Sequence, residues 1–396
     1  MGVNLFPAIL LAGPPHCGKS VLSFMLTKQL REQQVAHYLL RAVPDGEGDW
    51  FLEGEAALMR AIRTGHKTAY SARFVSHFCN IIENRWLPLL VDIGGKPQGE
   101  QFEIIRACTH AILLYRDEDE RQYWRKILDE SQLLPLAELC SMQTEPEALL
   151  EVEPTLQAVI SGLERDAEKR QQGKVFDALV ERVSGICAYP PGELEEFHLS
   201  RAPLPALTER YLARQLGLPD AETNPTWQPE HLKRLMSTGK LNPPYALYGR
   251  GPIWLAAMLL SCDLASPAAI FDVRYGWVTL PDALAEGCSA AICFRIRRHI
   301  PGYDWIGIHL PDSILEVEEL RQPELGHIVG LQPRGVVLSG KLPRWVVATL
   351  VRTLAGKYAW VGVDDPRNKR VIVVHSQSPE QEIGDVLDRP DITDLP

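Results

Sequence analysis

Up to Tyr115 the chain repeats one alternation, a short apolar run followed by a longer stretch with apolar positions every three or four residues. The short runs Ala8–Ala12, Ala36–Arg41, Leu87–Ile93 and Ala111–Tyr115 have the length of buried strands. The longer stretches Lys19–Glu32, Glu53–Thr64, Ser71–Glu83, Gly99–Ala107 and Glu118–Ser131 read as helices. Strands alternating with helices predict an α/β domain, a parallel sheet with crossover helices on both faces. Ala137–Met142 is a candidate added strand, and Glu153–Glu168 and Lys174–Val183 are expected to close the domain as helices. Prolines then gather at Tyr189–Gly192 and Pro203–Pro205 without strong periodicity, which places a boundary near residue 188. Residues 189–244 read as a connector with helices over Thr208–Leu218 and Gln228–Ser237. From Tyr245 the pattern turns strand-rich and predicts two small α+β units, 245–300 and 301–396.

The turn after the first strand carries chemistry. Gly13-Pro14-Pro15-His16-Cys17-Gly18-Lys19-Ser20 meets every fixed position of G-x-x-x-x-G-K-S, the phosphate-binding P-loop of nucleoside-triphosphate proteins. Gly13 and Gly18 let backbone amides turn onto the phosphates, and the helix N-terminus adds partial positive charge. Lys19 would reach the β/γ-phosphates of ATP, and Ser20 would hold Mg2+. Leu89-Leu90-Val91-Asp92 ends in the second carboxylate that such a metal needs, so Asp92 is the partner of Ser20. Asp92-Ile93-Gly94-Gly95 has the D-x-x-G form in which a glycine amide senses a γ-phosphate. Asn-Lys-x-Asp does not occur, so guanine specificity has no support, and Ile93 rather than Glu follows Asp92. Kinases of this fold carry arginines on a lid, and Arg116, Arg121 and Arg125 fall at such a position. The competing reading is a solvated helix with i,i+4 pairs such as Asp117 with Arg121. Arg41, Asp45, Asp49 and Trp50 stand where a kinase would hold its acceptor.

Composition narrows the setting. The 396 residues are 45% hydrophobic and 23% charged, so the chain is globular and long enough for more than one domain. A net charge of −10 argues against a coat for long nucleic acid. The eight cysteines are scattered with no C-x-x-C pair, as in a reduced compartment, so neither a disulfide framework nor a zinc site is expected. Phe6–Ala12 is too short to span a bilayer and no basic leader precedes it, so a cytoplasmic protein with no membrane contact is expected.

The carboxy-terminal half repeats itself. Gly249-Arg250-Gly251-Pro252-Ile253-Trp254 opens an apolar helix, and a strand ending Asp272-Val273-Arg274 follows. Gly340-Lys341-Leu342-Pro343-Arg344-Trp345 opens another, and Asp364-Asp365-Pro366-Arg367 ends the strand after it. The glycines and the tryptophans are each 91 residues apart. Two copies form a tandem pair rather than a solenoid.

These segments, with Val371-Ile372-Val373-Val374-His375-Ser376, resemble the Csx-three family of CRISPR-associated ring nucleases. The better copy spans about Tyr303–Leu387 and the earlier, partial one about Tyr245–Ala285; a preceding P-loop domain is similar to the fused members of that family, often labelled AAA. The resemblance implies metal-stimulated cleavage, with Mn2+ as a candidate ion, of a cyclic oligoadenylate, chiefly cyclic tetra-adenylate. It also implies a homo-oligomer that encloses the ring. Carried over, Asp365, Arg367 and His375 fall on the family's motif, and the first copy supplies Asp272 and Arg274; the family's histidine before the final strand falls on or next to Lys357.

Cleaving a phosphodiester through its 2′-OH needs a base and a cation to stabilise the phosphorane. Asp365 and His375 are the acid/base or metal-holding candidates, while Arg367, Lys341, Arg250, Arg274 and the Gly340 turn would bind phosphates. Read without the family, Asp365–Asn368 is a hairpin turn, His375 a strand residue, and Trp254 and Trp345 are core anchors. The expected function is ATP binding at the P-loop combined with binding and degradation of cyclic tetra-adenylate, which switches off type III CRISPR signalling. The alternatives are a P-loop kinase acting on a nucleotide or oligonucleotide end, and a sensor that binds the ring without cutting it.

Overall fold

A computed structural model describes residues 6–43, 70–143, 145–163, 173–223, 225–281, 292–310, 314–321 and 332–390. The chain divides into two compact units, Met1–Glu196 with Val273–Tyr275, and Phe197–Asp272 with Gly276–Pro396. No helix among the described residues is long and apolar enough to cross a membrane.

The first unit is a mixed α/β domain. Strands β1 (Ala8–Ala12), β2 (Tyr38–Arg41), β3 (Leu89–Asp92), β4 (His110–Tyr115), β5 (Leu134–Ser141), β6 (Ala148–Glu151) and β7 (Leu156–Ile160) form one sheet in the order β2-β3-β1-β4-β5-β7-β6. All neighbours are parallel except the edge strand β6, which runs against β7. Helices α1 (Lys19–Glu32), α2 (Ala72–Glu83), α3 (Gln101–Ala107) and α4 (Glu118–Glu130) lie between successive strands, and α5 (Lys174–Cys187) follows β7. Ile9, Leu11, Ile112, Leu114 and Leu139 pack with α1 and α5 on one face. The alternating Leu10, Val91 and Leu113 are just as buried, so both faces of the sheet are covered. Ser71 and Asp117 cap α2 and α4 by accepting the amides of Phe74 and Glu120.

Of the expected helices, one lies outside the described residues and one is a strand. The helix expected over Glu53–Thr64 lies outside the described residues. The helix expected to begin at Glu153 is instead the strand β7, because Leu156, Ala158 and Ile160 are buried in alternation with the half-buried Gln157 and Val159. A period of two overrides the acidic, helix-like composition.

The second unit holds the tandem pair. Helix α6 (Pro191–Leu199), which starts inside the proline cluster, precedes β8 (Ala206–Thr208), α7 (Glu209–Leu216) and α8 (Glu230–Ser237). The first copy continues with β9 (Tyr245–Tyr248), α9 (Ile253–Ser261), β10 (Ala268–Asp272) and β11 (Gly276–Thr279). Its sheet order is β11-β10-β9-β8, with β8, β9 and β10 parallel and β11 antiparallel. The second copy comprises β12 (Cys293–Ile300), β13 (Tyr303–His309), β14 (Gln332–Ser339), α10 (Arg344–Ala355), β15 (Tyr358–Asp365), β16 (Arg370–Ser376) and β17 (Val386–Asp388), in that strand order. There β13, β14 and β15 are parallel and β16 antiparallel, the same arrangement strand for strand. The first copy therefore starts at Ala206, inside the stretch read as a connector; a three-residue strand preceded by prolines is too short to announce itself.

The helices of the two copies meet. α9 is apolar on every side and is buried from Trp254 onward, packed against α10, β15 and β16. Trp254 and Trp345, 3% and 0% exposed, are core anchors. Arg352 of α10 is buried and donates to four carbonyls at the end of α9: Leu260 (2.7 Å), Asp263 (3.0 Å), Leu264 (2.9 Å) and Ser266 (2.8 Å). A cation there satisfies the orphan carbonyls and the negative end of the helix dipole.

Candidate functional site

In the first unit the turn between β1 and α1 is shaped by two glycines. A Cβ on Gly13 would lie 2.2 Å from the Leu114 carbonyl oxygen, and Gly18 has a φ of 92°, which side chains other than hydrogen resist. The buried Lys19 ammonium folds back onto the loop, donating to the carbonyls of Gly13 (2.8 Å) and Pro14 (2.6 Å). β3 lies directly beside β1 with Asp92 opposite Leu11, which brings its carboxylate to Ser20. Ser20 Oγ donates to Asp92 Oδ2 at 3.2 Å, and the Gly94 amide donates to Oδ1 at 3.0 Å. Arg41 Nε stands 3.8 Å from the same carboxylate, which is 1% exposed. A hydroxyl and a carboxylate in contact beside a cation-bearing loop are an oxygen donor set that fits Mg2+. The arrangement is compatible with a P-loop domain.

Burial raises the pKa of Cys17 within this loop, against the opposing pull of Lys19 and Arg116, so it stays a thiol. The three lid candidates are engaged elsewhere. Arg121 (2.7 Å) and Arg125 (3.1 Å) both pair with the buried Glu138. Arg116 is gripped by Glu120 through its backbone amide (3.0 Å) and its Nε (3.3 Å). The pair expected between Asp117 and Arg121 gives way to helix capping by Asp117, which accepts the Glu120 amide at 2.8 Å. Of the acceptor-side candidates, Asp45, Asp49 and Trp50 lie outside the described residues.

In the second unit the candidates gather at the carboxyl ends of the parallel strands. Leu247 pairs with Ile270, and Leu338 with Val363, so Gly249 and Asp272 share one register position and Gly340 and Asp365 the equivalent one. Arg250 follows the first glycine and Lys341 the second, both exposed. Asp365 Oδ2 accepts from Arg370 Nε (3.0 Å) and Asn368 Nδ2 (2.8 Å), while Pro366–Asn368 makes one 3-10 turn that leaves Arg367 exposed. The motif is thus a hairpin turn that also presents a carboxylate and a guanidinium beside the Gly340–Lys341 turn. Arg274, in the Val273–Tyr275 segment that belongs to the first unit, stacks on the Tyr275 ring, 5.2 Å from its centroid.

His375 does not join this group. It pairs across from Val361, four residues before Asp365 on β15, which separates the two along the sheet by about 13 Å. Its Nε2 is enclosed without a hydrogen-bond partner, and burial lowers its pKa, opposed by a hydrogen bond with the Ser261 backbone. Within one chain Asp365 and His375 cannot act on one phosphodiester. The alternation along β16 carried no sign of this; the antiparallel turn between β15 and β16 is what sends the two apart. Lys357, just before β15, lies toward the His375 end of the sheet.

Sequence reasoning passed over the residue beside Asp365. Asp364 is buried and accepts from Ser339 Oγ (2.7 Å), Arg389 Nε (2.8 Å) and an Arg389 terminal nitrogen (3.3 Å). Adjacent strand residues face opposite sides, so of the two aspartates one had to point inward and find a cation. Among the described residues no group of three or more His, Cys, Asp or Glu could hold a metal ion.

The fold and site define a mixed α/β domain compatible with nucleotide binding, joined to a duplicated α+β unit. Residues 308–388 match the family model described as CRISPR-associated protein (Cas_csx3), about a fifth of the chain. That span covers most of the second copy, from the end of β13 to β17, and gives the carboxy-terminal region a CRISPR association. No curated protein matches the chain.

Proposed function

We propose that the carboxy-terminal unit binds cyclic tetra-adenylate and cleaves it, and that the amino-terminal unit binds ATP with Mg2+. The observation that carries this reading is the coincidence of the family match with the cluster Gly340, Lys341, Asp365 and Arg367 at one sheet end. Lys341, Arg367 and turn amides meet phosphate charge, and Asp365 takes the 2′-OH proton or holds a divalent metal such as Mn2+. Lys357, toward the other end of the sheet, meets a ring held at this turn from a second subunit, while the enclosed His375 stays within the fold. That requirement accords with the enclosing homo-oligomer which the family resemblance implies. In the amino-terminal unit Lys19 exchanges its two loop carbonyls for phosphate oxygens, and Ser20 with Asp92 holds Mg2+.

The deciding experiment incubates the full chain with cyclic tetra-adenylate and Mn2+, with and without ATP. Linear product is expected, and Asp365→Ala is expected to lose it while keeping ATP binding. Absence of product in both conditions removes the nuclease reading, and retained cleavage by Asp365→Ala removes the site assignment. Lys19→Ala is expected to lower ATP affinity about 100-fold, the cost of a lost charged hydrogen-bond pair, measured by calorimetry. The separation of Asp365 from His375 favours a second reading, a sensor that binds the ring uncut. Tight binding with an intact ring selects it.

A further inference from the structure

The two copies differ at the residue that faces the glycine turn. In the first copy Thr208 of β8 lies opposite Tyr248, and in the second Gly307 of β13 lies opposite Ser339. One residue further on, Glu209 and Ile308 therefore occupy equivalent places beside the turns that begin at Gly249 and Gly340. A Cβ on Gly249 would fall 2.3 Å from Glu209 Cδ, and one on Gly251 would fall 2.5 Å from Glu209 Oε2. Both glycines leave room for the carboxylate. In the second copy a Cβ on Gly340 would meet the main-chain oxygen of Ile308 at 2.3 Å, and no acidic side chain stands at that position.

Glu209 is only 5% exposed, so its charge needs partners inside the protein. Its Oε2 accepts the Gly251 amide and its Oε1 pairs with Arg344. Arg344 also donates to the Gly249 carbonyl at 2.6 Å, tying the start of α10 in the second copy to the turn of the first. A backbone amide before a helix and a guanidinium around a buried carboxylate are the contacts a phosphate would draw from the same turn.

We infer that Glu209 is an internal anion that fills the first copy's turn, so that each chain meets a phosphodiester ligand through Gly340–Lys341 alone. The second half of this statement rests on the function proposed above; the first half does not. Sulfate serves as the probe, and melting temperature is compared in sulfate and in chloride of equal ionic strength. Sulfate stabilises most proteins generally, so the reading is the gain of each variant over the parent. Glu209→Ala empties the turn beside Arg344 and is expected to gain at least ~3 °C more from sulfate than the parent does. Recovery of folded Glu209→Ala in sulfate alone counts the same way. Glu209→Gln keeps the turn filled and is expected to gain no more than the parent. Equal gains for parent and Ala variant, equal gains for Ala and Gln variants, or an Ala variant unfolded in both salts overturns the inference. Because sulfate replaces the oligonucleotide, a chain that fails to bind cyclic tetra-adenylate still gives a clear result here.

Discussion

The two copies of the carboxy-terminal unit share a scaffold and differ in what stands behind their turns. Both have three parallel strands, an antiparallel fourth and a tryptophan-led helix. Behind the first turn, Tyr248 and Phe271 join His198 and Trp277 in an aromatic cluster, with His198 Nδ1 2.9 Å from the Tyr248 hydroxyl and its ring 4.4 Å from Phe271. Behind the second, the matching positions are Ser339 and Asp364, locked to Arg389. Core shape depends on many apolar contacts and survives duplication as a block. Site chemistry depends on a few polar positions, and differences at the places of Ser339, Asp364 and Ile308, with Leu342 where the first copy has Gly251, separate the two turns.

The shared scaffold is where the largest effects are expected. Trp254→Ala and Trp345→Ala should each cost about 3–5 kcal/mol in urea unfolding, alike in both copies, since both rings are buried anchors. A loss confined to one variant would mean that the copies do not share their packing. The divergent layer should respond less. Asp364→Ala leaves Arg389 without its carboxylate, but that arginine is 23% exposed and rehydrates, so about 1–3 kcal/mol is expected. An unchanged unfolding midpoint would show that the ion pair only decorates the second turn.

The smallest expected effect is one of pH. The folded pKa of His375 lies below the ordinary histidine value because burial disfavours the charged ring. The unfolded chain then binds the proton more readily. The contribution is complete above the unfolded value near 6.5 and declines as pH falls through the lowered folded value. His375→Leu should therefore flatten the loss of stability from pH 7 to pH 5, with little change above pH 7. A slope identical to the parent's would show that the ring is solvated rather than enclosed.

Much of this was written in the pattern of the chain. The P-loop motif, its strand and its helix follow from local spacing, and Asp92 could be paired with Ser20 because both end up beside adjacent parallel strands. The repeat was visible because tryptophan, glycine and proline hold fixed offsets. Other features depend on partners distant in sequence. β7 looks helical until its alternate residues are placed on β5, and β8 is legible only beside β9. Glu209 precedes Gly251 by 42 residues and Arg344 by 135, so no spacing could have joined them. The opposite placement of Asp365 and His375 follows from the Pro366–Asn368 turn, which reverses β15 into β16.

Calorimetric titration of cyclic tetra-adenylate into the parent, Lys341→Ala and Arg250→Ala compares the two turns directly. The second-turn account predicts that Lys341→Ala weakens binding about 10-fold while Arg250→Ala stays within about 2-fold of the parent. An equal or greater loss in Arg250→Ala, or no binding by the parent, would contradict it.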